Sequence, residues 1–233
     1  MKSYREFIKN ISNIYSYREG CEWSNFWFDR ATDEKSKRYL IIGDSTARMV
    51  RSTFAKLMQA PVDMLGTSSA IDDELFVNQI DAFFNNSLYR YDAIFVQLGH
   101  HSRISKDGMP YKEEDYIKFE NDYSPLLKYL KQYSSLIITE TVFDSYQKKS
   151  RFKTWLCRIS IMKEKEDDGI NNITRRKNNI IKELSLQGGV NYVDINSFMK
   201  NKKCVHVDHI HFEDKAKILI AQEMKRYLLS IIN

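Results

Sequence analysis

The chain has 233 residues, 42% of them hydrophobic and 13% aromatic, with only 8 Gly and 3 Pro. That is one domain's worth of sequence with ample apolar surface for a core, which excludes a disordered chain and a turn-rich all-β one. The net charge of +5 is too small by itself to indicate nucleic acid and is compatible with an anionic ligand.

In chain order, Tyr4, Phe7, Ile8, Ile11, Ile14 and Tyr15 recur at helical spacing and predict an amphipathic N-terminal helix. Trp23, Phe26, Trp27 and Phe28 follow as an aromatic stretch expected to form a loop that covers the core, with a sugar platform as its other reading. Residues 1–37 are thus expected to be a helical extension on a domain spanning 38–233. Tyr39–Ile42 is a short apolar run ending at Gly43, and a helical pattern follows through Val50, Phe54 and Leu57. Further buried-strand candidates are Val62–Leu65, Ala93–Leu98, Leu136–Val142 and Val190–Ile195. Helical stripes lie between them. One starts after Asp72-Asp73, one runs from Tyr116 to Leu130 through Pro125, one is closed by Gly188-Gly189, and the last spans Glu213 to Leu229. Alternation of this kind predicts a three-layer α/β/α fold with a five-stranded parallel sheet, in flavodoxin-like strand order 2-1-3-4-5. The stretch 147–170 interrupts the pattern and reads as an insertion.

The three cysteines, Cys21, Cys157 and Cys204, include no C-x-x-C pair, so neither a disulfide framework nor a thiolate metal site is expected. Arg5 and Lys9 interrupt the N-terminal stretch, which lacks the apolar core of a secretory leader, and no uncharged apolar run approaches membrane-spanning length. A cytoplasmic protein with no membrane span is the resulting expectation.

The five histidines fall in two clusters, His100-His101 and His206/His209/His211, each after a predicted strand. Open parallel sheets bind ligands at the carboxyl ends of their strands. Ser45, in Gly43-Asp44-Ser45, sits at a strand-to-helix junction, where its hydroxyl either caps the helix or serves as a nucleophile beside free backbone N–H groups. Asp208-x-x-His211 favours the second role. On a tight turn the carboxylate can hold the imidazole in one tautomer, leaving its other nitrogen free as a base. The 206–211 cluster also has the chemistry of metal ligands, but its spacing fits no established metal motif, so no metal is expected. His206 and His209 are read as a loop residue and a solvent-facing one, and Asp44 as a brace for the turn.

The segments IIGDSTAR, MLGTSSA, VQLGHHS and VDHIHF resemble, in order, four conserved blocks of the SGNH/GDSL hydrolase superfamily. The resemblance covers roughly residues 38–230. It implies Ser45 as nucleophile, His211 as general base and Asp208 as its partner, with backbone N–H groups of Ser45 and Gly66 donating to an oxyanion. The family's third block reads G-x-N-D, whereas this chain has Gly99-His100-His101-Ser102. His101 therefore stands where the family's Asn donates to the oxyanion, and Gly99 and His100 flank the substrate. Arg48, one turn after Ser45, is similar to the Arg of the PC-esterase and trichome-birefringence-like branch, which implies a substrate-binding role and an O-acetyl polysaccharide substrate.

The expected function is a serine ester hydrolase acting on an O-acyl carbohydrate or small ester. The alternatives are an O-acetyltransferase with the same triad and a non-catalytic carbohydrate-binding relative. No cofactor is expected, save acetyl-coenzyme A as donor if the protein is a transferase. The basic-aromatic segment 148–158 is read as a solvated helix face or as a contact for a phosphate-bearing donor or an anionic glycan. Nucleic acid is disfavoured, because the basic residues do not line one predicted helix. Oligomeric state is not legible.

Overall fold

A computed structural model describes residues 2–8, 22–33, 35–71, 73–101, 111–202 and 204–232. Five parallel strands, β2 (Tyr39–Gly43), β3 (Val62–Thr67), β4 (Ala93–Gln97), β5 (Ile137–Glu140) and β6 (Asn191–Val193), form the sheet expected from the apolar runs. Their spatial order is β3-β2-β4-β5-β6, the flavodoxin-like arrangement. β2–β5 are buried throughout, because helices cover both faces.

On one face, Leu40, Ile42, Ile94 and Val96 pack against α2 (Glu74–Asn86), α3 (Glu113–Leu130) and α5 (Asp168–Gly188). On the other, Tyr39, Ile41 and Phe95 pack against α1 (Ser45–Met58), α6 (Ile195–Lys200) and α7 (Asp214–Ile232). Side chains alternate along each strand, so successive residues feed opposite layers.

The sheet has a sixth strand that corrects the expected five. Ser24–Trp27 is not a loop but β1, paired antiparallel with the outer edge of β3 from Ser24↔Thr67 to Trp27↔Met64. Phe26 within it and Phe28 just after it both pack on Phe83, while Trp27 lies on the other side, 53% exposed. The return from β1 is anchored by Arg38, whose buried guanidinium bonds Asp63 and the carbonyls of Asp29, Arg30 and Asp33. At the N-terminus, Tyr4–Glu6 form a single 3-10 turn rather than the start of an α-helix. The rest of that predicted helix, 9–15, lies outside the described residues, as do Cys21 and Ser102. The stretch 147–170 contains α4 (Arg151–Arg158).

Candidate active site

The site is built where β2 ends. Gly43 is required there, because a Cβ would sit 2.5 Å from the Ala47 Cβ and 2.8 Å from the Gln97 carbonyl oxygen. Asp44 caps α1, its Oδ1 accepting the Thr46 N–H at 2.8 Å. The Thr46 hydroxyl lies 2.6 Å from that oxygen and 2.8 Å from Gln97 Oε1, while Gln97 Nε2 donates to the Thr141 carbonyl. The expected brace at Asp44 is therefore present, and it ties the start of α1 to β4 and to the segment after β5. Asp44 has taken the capping role, which leaves the Ser45 hydroxyl available for other contacts.

The Ser45 hydroxyl meets His211, with Oγ and Nε2 2.7 Å apart across 166 residues of sequence. His211 Nδ1 lies 2.7 Å from Asp208 Oδ2. A carboxylate only accepts, so Nδ1 carries the proton and Nε2 is the acceptor for Ser45. Asp208 Oδ1 also accepts the backbone N–H groups of Ile210 and His211, both at 2.8 Å. Partial burial works against the ionised carboxyl, but these two N–H groups and the imidazole outweigh it and hold Asp208 below the usual carboxylate range. The three residues thus form a continuous relay from an ionised carboxylate to a hydroxyl.

The turn bearing Asp208 and His211 is closed on itself and braced from behind. His206 and Phe212 form a bridge, Val207 N–H donates to the His211 carbonyl, and Tyr146 N–H donates to the His209 carbonyl at 2.7 Å. His206 lies in the connection between α6 and α7, as expected, but it is not solvated. It is 1% exposed, lies between the rings of Tyr146 and Phe212, and bonds Glu164 through Nδ1 at 2.7 Å. Burial, and then the Lys149 ammonium, push its pKa down to about 3, so the ring is neutral. His209 is partly exposed at the edge of the turn.

Three asparagines hold the segment leading to Tyr146. Asn178 exchanges two bonds with the Val142 backbone and Asn171 two with Ser145. Asn196 accepts from Asp144 N–H and donates to its carboxylate. Side-chain amides here reproduce the donor–acceptor pair of a neighbouring strand. Polar residues at i and i+7 on one face of a predicted helix, Asn171 and Asn178, were the available signal.

The remaining expected site residues divide. Gly99 adopts φ +140°, and a Cβ there would approach the Val142 side chain to 3.0 Å, so the position demands a glycine. Its carbonyl and that of His101 both accept from the buried Lys177 ammonium at 3.1 Å, a residue sequence reasoning missed. His100, expected to flank the substrate, is 96% covered. His101 is half-buried at the sheet's carboxyl edge, just before residues outside the described set.

Gly66 is a correction. Ser68 N–H donates to the Trp23 carbonyl, making Trp23/Ser68 a hydrogen-bonded pair. Bonded and non-bonded pairs alternate in an antiparallel ladder, so the next bonded pair is Asn25/Gly66. The Gly66 amide therefore faces β1 and is committed to the ladder instead of to an oxyanion.

Arg48 stacks over Trp23 at 4.6 Å and donates to Asn25 Oδ1 at 3.1 Å. With Arg51, Ser52, Trp27 and Met64 it lines a groove of about 330 Å³ leading away along α1. Ser45, Arg48 and Ser52 share one helix face at spacings of three and seven.

No family model matches the chain, and no curated protein sequence does either. Solved structures do. The acetyl xylan esterase AlAXEase aligns at 16% identity and a TM-score of 0.54, covering 82% of this chain and 98% of that one. A variant of the acetyl xylan esterase Axe2 from Geobacillus stearothermophilus aligns at 14% and 0.52, covering 82% and 93%. A protein from Slackia heliotrinireducens assigned to the SGNH hydrolases aligns at 14% and 0.52, covering 81% and 96%. With its parallel strand order and near-complete coverage of these structures, the chain has the fold of the SGNH hydrolases.

Proposed function

We propose that the protein is a serine esterase that removes an acyl group, most simply acetyl, from an O-acylated carbohydrate. The observation that carries this reading is the unbroken relay Ser45 Oγ–His211 Nε2 and His211 Nδ1–Asp208 Oδ2, both links 2.7 Å. Ser45 Oγ attacks the ester carbonyl as its proton passes to His211 Nε2, and the ionised Asp208 stabilises the imidazolium. Collapse of the tetrahedral intermediate breaks the C–O bond, and His211 returns the proton to the departing sugar oxygen. Water then attacks the acyl-Ser45 with His211 as base, releasing the acid. The oxyanion forms at the N-terminus of α1, where backbone N–H groups favour negative charge.

The carbohydrate assignment is supported by the groove along α1, where the exposed Arg48 and the half-exposed Trp27, one ring face of which Arg51 covers, suit a sugar and its hydroxyls, and by the acetyl xylan esterases among the similar structures. Incubation with p-nitrophenyl acetate and with acetylated xylo-oligosaccharides tests it. Wild-type protein should release acetate and carry a transient +acetyl mass on Ser45, and Ser45→Ala should do neither. Wild-type turnover by Ser45→Ala, or no labelling of Ser45 by a fluorophosphonate, would overturn the reading.

A further inference from the structure

The stretch 147–170 carries a surface that the esterase site does not use. Within ten residues, Phe152, Trp155, Ile159 and Ile161 are each between 44 and 70% exposed. Phe152, Trp155 and Ile159 recur at spacings of three and four, so they form one stripe along the solvent side of α4 and its continuation. The Phe152 and Trp155 rings stack, with centroids 6.0 Å apart. Exposed apolar residues scattered singly need no explanation, but a contiguous stripe does. The opposite face of the same helix already packs inward through Cys157.

Charge surrounds the stripe. Residues 148–165 contain seven cations and one acid. The acids beside it are largely engaged: Glu164 is drawn inward to His206 and Lys149, Glu166 pairs with Arg175 at the surface, Asp167 caps α5 and Glu213 lies 3.5 Å from Arg158, while Asp168 is exposed. Lys148, Arg151, Lys153, Arg158, Lys163 and Lys165 are left at the surface. Lysine is depleted in protein–protein interfaces, whereas long basic side chains around aromatic and aliphatic residues match a headgroup layer over acyl chains.

We propose that the face of α4 docks on an anionic lipid membrane, inserting Phe152, Trp155, Ile159 and Ile161 at the headgroup level while the surrounding Lys and Arg bind lipid phosphates. The docked face adjoins the catalytic turn. Arg158 and the half-exposed Val207 line, with His211, a space of about 320 Å³.

Flotation of the full chain with vesicles tests this. The protein should float with vesicles of equal parts phosphatidylcholine and phosphatidylglycerol, stay behind with pure phosphatidylcholine, and detach at high salt. Arg151→Ser with Lys153→Ser should weaken binding about thirtyfold. Phe152→Ser with Trp155→Ser should abolish flotation at an unchanged melting temperature, since both side chains face solvent. The proposal is overturned by absent flotation with both vesicles, by equal flotation with both, or by flotation that survives the Phe152/Trp155 pair of changes. A concentration-dependent dimer that this pair dissolves would assign the face to a second copy instead and also overturn it.

Discussion

Lys177 of α5 donates a hydrogen bond to the His101 carbonyl across 3.1 Å, and the same ammonium donates to Gly99. Its charge also lies over the rings of Tyr111 and Phe119. A buried cation therefore fixes the start of the loop after β4, at the carboxyl edge beside Ser45.

Lys177→Met removes two charge-assisted bonds and should destabilise the fold by about 3 kcal/mol. As a positioning residue it should also lower kcat with little change in KM, and Lys177→Arg should restore part of both. Urea unfolding and steady-state kinetics on p-nitrophenyl acetate check this. A Lys177→Met protein of reduced stability but unchanged kcat would confine the residue to a structural role.

Glu140, the last residue of β5, is 2% exposed, and its Oε1 has no hydrogen-bond partner among the described residues. Burial raises its carboxyl to about 8 from an ordinary 4.5. As pH rises above 4.5 the unfolded chain releases this proton while the folded one keeps it, so stability falls progressively until about pH 8. Glu140→Gln removes that dependence. Its melting temperature should match wild type near pH 4.5 and exceed it near pH 8, and a gap that does not widen with pH would contradict the assignment.

His206 behaves in the opposite sense. Its folded pKa of about 3 lies below the ordinary 6.5, so below pH 6.5 the unfolded chain takes up a proton that the folded one refuses. The contribution is intact above 6.5 and lost progressively as pH falls toward 3. His206→Gln should show a shallower acid decline in melting temperature, and slopes identical to wild type would show that another group titrates.

The parallel sheet was legible because its strands are apolar runs bounded by helical stripes, Ser45 because it stands just past such a run, and the Asp208/His211 pair through its three-residue spacing, although α6 separates that turn from β6. β1 was not legible. Its four residues alternate too briefly to show a period, and its place is set by backbone pairing with β3 rather than by a buried face. That omission also misassigned Gly66, since the free amide expected of a strand end does not exist where another strand is paired outside it. The burial of His206 in its loop was not foreseen because its partner, Glu164, lies 42 residues upstream. Lys177, Asn171 and Asn196 were missed for a similar reason, as a buried polar residue on a helix looks like a solvated one until its backbone partner is known.

With the Gly66 amide committed to β1, the proposed ester cleavage would depend more heavily on other oxyanion donors, and His101 is the side chain the family resemblance puts in that role. Its imidazole would have to present an N–H to the carbonyl oxygen in the tetrahedral intermediate. Removing one such donor costs roughly 10²–10³ in kcat with KM little changed. His101→Ala should show that loss, and His101→Asn should recover much of it, because an amide donates from a similar position. His100 supplies the contrast. It is 4% exposed, so His100→Ala should act mainly on stability, lowering the melting temperature more than kcat measured on the folded fraction. Kinetics and thermal melts of the three variants separate chemistry from packing. A His101→Ala protein with wild-type kcat would assign the oxyanion to the backbone N–H groups at the start of α1.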